Sequence, residues 1–164
     1  MALSLAIVAF LLGACRADPG GDERLQAQLA AVLDRYLEAR NSVVTTFGGD
    51  GIDPSVPMTD AFRAELDCEL AIISERSYDG YAYSTTDLTV EAFVLEGGEA
   101  TLDVREHTKL AYQPGDGAPP FTEYGGDRRF GFVRGADGVW LLDSDDLIGE
   151  EGSLPETMVP AGSC

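Results

Sequence analysis

The stretch Val90–Gln113, VEAFVLEGGEATLDVREHTKLAYQ, decides the fold. Its centre, Glu96-Gly97-Gly98-Glu99, is a hairpin signal, because a two-residue turn of this kind needs positive φ and glycine adopts it without strain. On the N-terminal side Leu88, Val90, Ala92 and Val94 alternate with polar residues. On the C-terminal side Ala100, Leu102 and Val104 share one face, while Thr101, Asp103, Arg105, His107 and Lys109 share the other. A period of two is the signature of a half-buried strand. Two long strands therefore pair around the two glycines.

The same grammar continues downstream. Gln113–Pro120 is a Gly/Pro loop, and Arg128–Arg134 predicts a third strand with Phe130 and Phe132 on one side. Gly135-Ala136-Asp137-Gly138 turns the chain into a fourth strand, Val139–Leu142. From Asp143 the sequence becomes acidic and then Pro/Gly-rich, which predicts an extended tail. Upstream the period is helical. Leu25, Leu29, Val32, Leu33, Tyr36 and Leu37 recur behind a candidate N-cap at Asp22, and this helix is expected to end near Asn41. Thr45–Pro57 reads as a loop. Thr59 or Asp60 caps a second helix carrying Phe62, Leu66, Leu70 and Ile73 on a wide apolar face. Helices first and an antiparallel meander after them predict an α+β class, with the N-terminal helices packed on one face of a curved antiparallel sheet.

The chain opens MALSLAIVAFLLGAC. From Ala2 to Ala14 the only polar side chain is Ser4. The run is far short of the ~20 apolar residues that a helix needs to cross a bilayer, but it has the length of a signal-peptide hydrophobic region. Leu12-Gly13-Ala14-Cys15 resembles the lipobox of bacterial lipoproteins, in which diacylglycerol is attached to the cysteine sulfur and the chain is cut before it. The basic start typical of such leaders is missing, since only the α-amino group is positive. The resemblance implies residues 1–14 as a lipoprotein signal peptide and Cys15 as a lipidated N-terminus. Residues 15–21 then form a flexible tether, residues 22–147 the α+β domain and residues 148–164 an acidic, Pro/Gly-rich tail. Two acyl chains anchor stably where one is marginal, so the expected location is the extracytoplasmic face of the cell membrane.

The formal net charge is -18, and none of it lies in the leader. Such a surface repels nucleic acid. With Cys15 lipidated, Cys68 and Cys164 are the two thiols left in an oxidising compartment, and they are candidates for a disulfide. Alternatively, Cys68 is a buried free thiol and Cys164 frays.

The strand run, together with TEYGGDRRFGFVRGADGVWLLDSDDL at 122–147, resembles the C-terminal sheet of the nuclear-transport-factor-2-like (SnoaL-like, cystatin-type roll) superfamily, and the resemblance implies that the α+β domain is a cystatin-like roll. It is similar in particular to the noncatalytic domain that precedes the amidase-like domain in some exported bacterial proteins. The likeness covers roughly residues 22–147. No amidase-like stretch accompanies it here, so that family's peptidase activity is not carried over.

No catalytic motif stands out. His107 is the only histidine, and its neighbours Asp103, Arg105 and Lys109 read as a solvated strand face. Neither Cys nor His falls in zinc-ligand spacing. Asp143 and Asp145 match the start of an EF-hand loop, but Leu147 stands at the third ligand position. The glycine-rich stretch Gly49–Asp53 lacks the Gly-Lys-Ser/Thr of a phosphate cradle. Accordingly, no metal and no cofactor are expected. Tyr78, Tyr81 and Tyr83 either line a cavity at the open end of the roll or plug it.

Glu106 and Thr108 are the candidate pocket residues, because the period of two puts them on the core face between Val104 and Leu110. Burying a carboxylate is costly unless it is paired. Glu106 can pair with Arg63, Arg128 or Arg129, turn to solvent at a bulge, or line a cavity with Thr108. The function expected is that of a membrane-anchored, noncatalytic binding or interaction module whose partner is an unknown protein or a small apolar ligand. The alternative is a small pocket enzyme of the ketosteroid-isomerase or dehydratase type, which needs a carboxylate base in an apolar cavity.

Overall fold

A computed structural model describes residues 19–46, 51–75, 81–112, 121–148 and 163–164. The leader, Cys15, Tyr78, the 113–120 loop, Gly49-Asp50 and most of the expected tail lie outside the described residues.

Two helices, α1 (Pro19–Thr46) and α2 (Asp60–Glu75), precede four strands: β1 (Tyr81–Glu96), β2 (Glu99–Tyr112), β3 (Phe121–Arg134) and β4 (Trp140–Ile148). The strands form one antiparallel sheet in the order β1-β2-β3-β4. Both helices pack on one face, so the class is α+β as the two periodicities require. Helix α1 differs from expectation at both ends. It starts at Pro19, inside the stretch read as a tether, because proline's fixed φ suits the first helical position. It also runs past Asn41 to Thr46. Thr59 caps α2, its hydroxyl accepting the Phe62 N–H at 3.2 Å.

The hairpin is as tight as its sequence demands. Leu95 pairs with Ala100 and Glu96 with Glu99, leaving Gly97 and Gly98 at φ 61° and 106°. On β2 the period of two holds from Ala100 to Leu110: Ala100, Leu102, Val104, Glu106, Thr108 and Leu110 are all buried, and it breaks only at Ala111, which is buried as well. The other strands depart from it. On β1 the register shifts between Val90 and Ala92, so an extra residue resets the phase. Phe93 therefore packs on the core, while Val94, beyond the shift, points outward at 49% exposure; Val90, before the shift, faces the same side as its partner Val104 and is 38% exposed. Strand β3 begins seven positions earlier than expected, at Phe121 rather than Arg128. Strand β4 does not end at Leu142 but continues through the acidic run to Ile148.

The core fills the concave face. Leu102, Val104, Phe130, Phe132 and Leu142 from the sheet meet Leu29, Leu33, Tyr36 and Leu37 of α1 and Phe62 and Leu66 of α2. Met58 bridges Leu142, and Leu142 exchanges backbone hydrogen bonds with Pro57 and Thr59, which covers part of the β4 edge. Cys68 on α2 is disulfide-bonded to Cys164, with 6.0 Å between the Cα atoms.

Candidate functional site

The polar centre of the molecule is assembled where four elements converge beyond the apolar core. Helix α1 contributes Tyr36 and Arg40, one turn apart on the same face. Strand β2 contributes Glu106 and Thr108. Arg128 stands on β3, where Val104 is its direct partner and Glu106 its diagonal neighbour. Asp145 comes from β4. Between Gly131 and Phe132 the β3–β4 register shifts, so Leu142 pairs with Phe132 but Asp145 pairs with Phe130. The extra residue, Asp143, turns Asp145 inward instead of leaving it on the solvent face.

These four charged side chains form a closed ring of alternating sign. Arg40 Nη2 lies 2.5 Å from Glu106 Oε1, and Arg40 Nη1 lies 3.4 Å from Asp145 Oδ2. Arg128 Nε lies 2.6 Å from Asp145 Oδ1 and 3.3 Å from Glu106 Oε2. Two hydroxyls complete the shell. Tyr36 donates to Asp145 Oδ2 at 2.9 Å, and Thr108 donates to Glu106 Oε1 at 2.6 Å. Glu106 is only 2% exposed. Its Oε2 accepts no hydrogen bond among the described residues and lies 3.3 Å from Arg128 Nε.

The electrostatics agree with the geometry. Burial works against the charged form of Arg40, but Glu106 first, then Tyr36 and Asp145, outweigh it and hold the guanidinium above its ordinary range. Arg128 behaves likewise, with Asp145 as the chief counterweight to burial. Tyr36 is pushed well up, first by burial and then by Asp145. Tyr124, opposite Thr108 in register, is raised chiefly by burial. Arg128, which is buried, and Arg40, which is partly buried, stay charged because the Glu106 and Asp145 carboxylates face them.

A chain of side-chain hydrogen bonds leads outward from the ring. Thr108 gives its only proton to Glu106, which leaves its oxygen to accept from Thr86, 2.7 Å away. Thr86 has one proton for two acceptors, Thr108 and Asn41 Oδ1 at 3.2 Å, and that Asn41 oxygen also takes the Ser84 hydroxyl at 2.6 Å. The chain thus runs from buried β2 to the C-terminal part of α1 and the start of β1.

Of the three arginines offered to Glu106, Arg128 is a partner and the other two are engaged elsewhere. Arg63 donates to the Val56 carbonyl at 2.9 Å and pins the loop before α2. Arg129 binds Asp103 bidentately at 2.7 Å and 2.7 Å on the outer sheet face. The partner missing from the sequence reading is Arg40. Glu106 does not turn to solvent at a bulge, since β2 keeps an unbroken register with β3. His107 is exposed, 3.9 Å from Glu123. Tyr81 is buried against Tyr112, with ring centroids 5.3 Å apart, whereas Tyr83 is 49% exposed. Asp145 is not an EF-hand ligand but a member of the ring, and among the described residues no cluster of His, Cys, Asp and Glu could hold a metal ion.

No protein-family model matches the chain, and no curated protein matches it in sequence. Solved structures do match. The Kfla4162 protein from Kribbella flavida is similar at 18% identity with a TM-score of 0.50, over 76% of this chain and 90% of that one. An NTF2-like family protein from Streptomyces avermitilis, whose name proposes dehydratase activity, is similar at 19% identity with a TM-score of 0.50, over 76% and 95%. At such identities the likeness is one of fold. Two helices on a curved four-stranded antiparallel sheet make the NTF2-like architecture, the one that the strand motifs resemble.

Proposed function

We propose that this NTF2-like domain is a noncatalytic binding module, held at the extracytoplasmic face of the membrane by lipid on Cys15. The observation that carries the noncatalytic part is the ring itself. A carboxylate acting as a base needs free lone pairs facing a substrate. Glu106 instead has Arg40 and Thr108 on one oxygen and Arg128 beside the other. The concave face, where a small apolar ligand would sit, is spent on packing of Leu102, Val104, Phe130 and Phe132 against the helices. The kinship we infer is with the noncatalytic domain of exported amidase-domain proteins. A net charge of -18 argues against nucleic acid as the partner.

The anchor rests on Leu12-Gly13-Ala14-Cys15. Cells expressing the full chain, labelled with an alkyne-palmitate analogue, are expected to show a labelled band that Cys15→Ala abolishes. A band persisting in the variant contradicts the anchor.

One observation favours the second reading, a pocket enzyme of the isomerase or dehydratase type. Glu106 Oε2 is buried without a hydrogen-bond donor, the position a reacting proton would take. The stability of Glu106→Gln in urea separates the two readings: a large loss favours the structural charge, near-wild-type stability the pocket base.

A further inference from the structure

The two edges of the sheet differ. On β4, Met58 bridges Leu142, and the backbone of Pro57 and Thr59 hydrogen-bonds to that residue. On β1, the edge away from β2 pairs with no strand or bridge among the described residues. Such an edge is a row of backbone donors and acceptors, and natural sheets guard it with lysine, proline, a bulge or a short strand. Strand β1 is 16 residues long and contains no lysine, arginine or proline. Its bulge lies between Val90 and Ala92, so the register from Tyr83 to Val90 is unbroken.

This unguarded stretch borders a groove of about 560 Å3, and every residue from Ala82 to Asp87 lines it. Side chains alternate across a strand. Ser84 and Thr86 stand on the concave face with their partners Leu110 and Thr108, while Tyr83, Thr85 and Asp87 stand on the outer face with Ala111, Lys109 and His107. What residues of both faces share is the edge of the strand, so the groove runs along that edge. Its other wall is one stripe of α1 from Asp34 through Leu37, Glu38, Asn41 and Ser42 to Thr45, at the three-and-four spacing of a single helix face. Ser84 donates to Asn41 Oδ1 at 2.6 Å, which fastens α1 to the concave side of β1 and fixes the gap. Six strand residues span ~20 Å and the helix stripe ~17 Å, the reach of about five or six residues of extended chain.

Charge selects the occupant. Asp34 and Glu38 on the helix wall and Asp87 on the outer face of β1 are exposed, and none of the three joins an ion pair among the described residues. Neither wall holds a lysine or arginine. A second copy is disfavoured, because β1 laid against β1 brings acids beside acids with no cation from either strand. We propose that the edge of β1 takes an added strand, an extended segment of another protein with lysine or arginine at alternate positions. Its backbone pairs with the Ala82–Asp87 edge, its basic side chains turn to Asp34 and Glu38 of α1, and the residues between them lie beside Tyr83 on the outer face. The proposal rests on the reading of the domain as a binding module, whose partner it specifies, and is independent of the anchor.

The test is calorimetric titration of the full-length chain with a short peptide of alternating lysine and valine. Its controls are a glutamate–valine counterpart and two backbone N-methylated forms, one methylated on the lysine amides and one on the valine amides. The lysine peptide is expected to bind, and the glutamate peptide is not. An added strand points alternate residues' amides at its neighbour, so one methylated form is expected to weaken about tenfold or more and the other to keep its affinity. The double change Asp34→Asn, Glu38→Gln is expected to weaken binding about tenfold; both side chains are exposed, so the fold survives. Absence of binding, equal affinity of the two methylated forms, equal affinity of the glutamate peptide, or indifference to the double change overturns the proposal. So does a concentration-dependent dimer that the peptide disperses, which would assign the edge to a second copy. Failure of the peptide arms while Cys15 labelling and the Glu106→Gln stability loss hold removes the edge assignment alone. Near-wild-type stability of Glu106→Gln with the peptide arms as expected removes the noncatalytic reading and leaves the edge assignment intact.

Discussion

Arg40 on α1 and Glu106 on β2 are 66 positions apart in sequence and 2.5 Å apart in space. The pair fastens the first helix to the second strand at the polar end of the roll, where apolar packing gives out. Arg128 on β3 and Asp145 on β4 close the ring from the neighbouring strands. Forming such a ring costs desolvation, and its value lies in specifying one arrangement of four elements. Removing a single member leaves a buried charge uncompensated.

The bond between Cys68 and Cys164 spans 96 positions. In the chain-entropy model, closing a loop of about 100 residues stabilises by ~4.7 kcal/mol. The double variant Cys68→Ser, Cys164→Ser is expected to unfold at markedly lower urea concentration, and reductant is expected to shift the wild type but not the variant. Coincident midpoints for the two proteins would contradict this.

Two glycines on β3 face different neighbours. A Cβ on Gly125 would sit 2.7 Å from the Glu106 carbonyl oxygen, a backbone atom that cannot step aside. A Cβ on Gly126 would meet only the Leu147 Cδ1 methyl, at 3.0 Å. Gly125→Ala is expected to cost ~1–3 kcal/mol, in the range for overpacking, and Gly126→Ala less. Thermal unfolding of the two variants gives the order, and the reverse order would refute the close approach of β3 to β2.

Glu69 on α2 has its carboxyl raised, first by partial burial, then by Glu65 and Asp145, with Arg128 partly offsetting them. A carboxyl raised in the folded state binds its proton more tightly there than in the unfolded chain. It therefore destabilises the fold above its folded value, and the penalty is relieved as pH falls toward the unfolded value of about 4.3. Glu69→Gln is expected to stabilise the protein at pH 7, with the gain shrinking to nothing in acid below that value. Urea titrations at a series of pH values measure it. A pH-independent difference, or a loss at pH 7, would refute the assignment.

Much of this architecture is legible in the sequence, and what is not has identifiable causes. The alternation Ala100–Leu110 and the Gly97-Gly98 turn are local, so they place Glu106 and Thr108 on the buried face without knowledge of the fold. Bulges are not legible in that way. One extra residue at Val90–Ala92 and another at Asp143 reverse the phase of everything beyond them. For that reason alternation alone puts Phe93 on the outer face and leaves Asp145 among the acidic residues of a tail. Arg40 escaped for a different reason. It sits beyond Leu37, the last residue of the helical pattern read from the sequence, and its long side chain reaches a strand that periodicity says nothing about.

The central claim is that Glu106 is held as a structural charge rather than poised as a pocket base. Urea denaturation of Glu106→Gln measures this most directly, since glutamine keeps the shape and removes the charge. The account predicts a loss of ~3–5 kcal/mol, the cost of breaking a buried pair from one side, as Arg40 and Arg128 are left to share Asp145. Stability within ~0.5 kcal/mol of wild type, the range of a substitution that touches no such feature, would contradict it, most sharply if ligand binding or turnover changed at the same time.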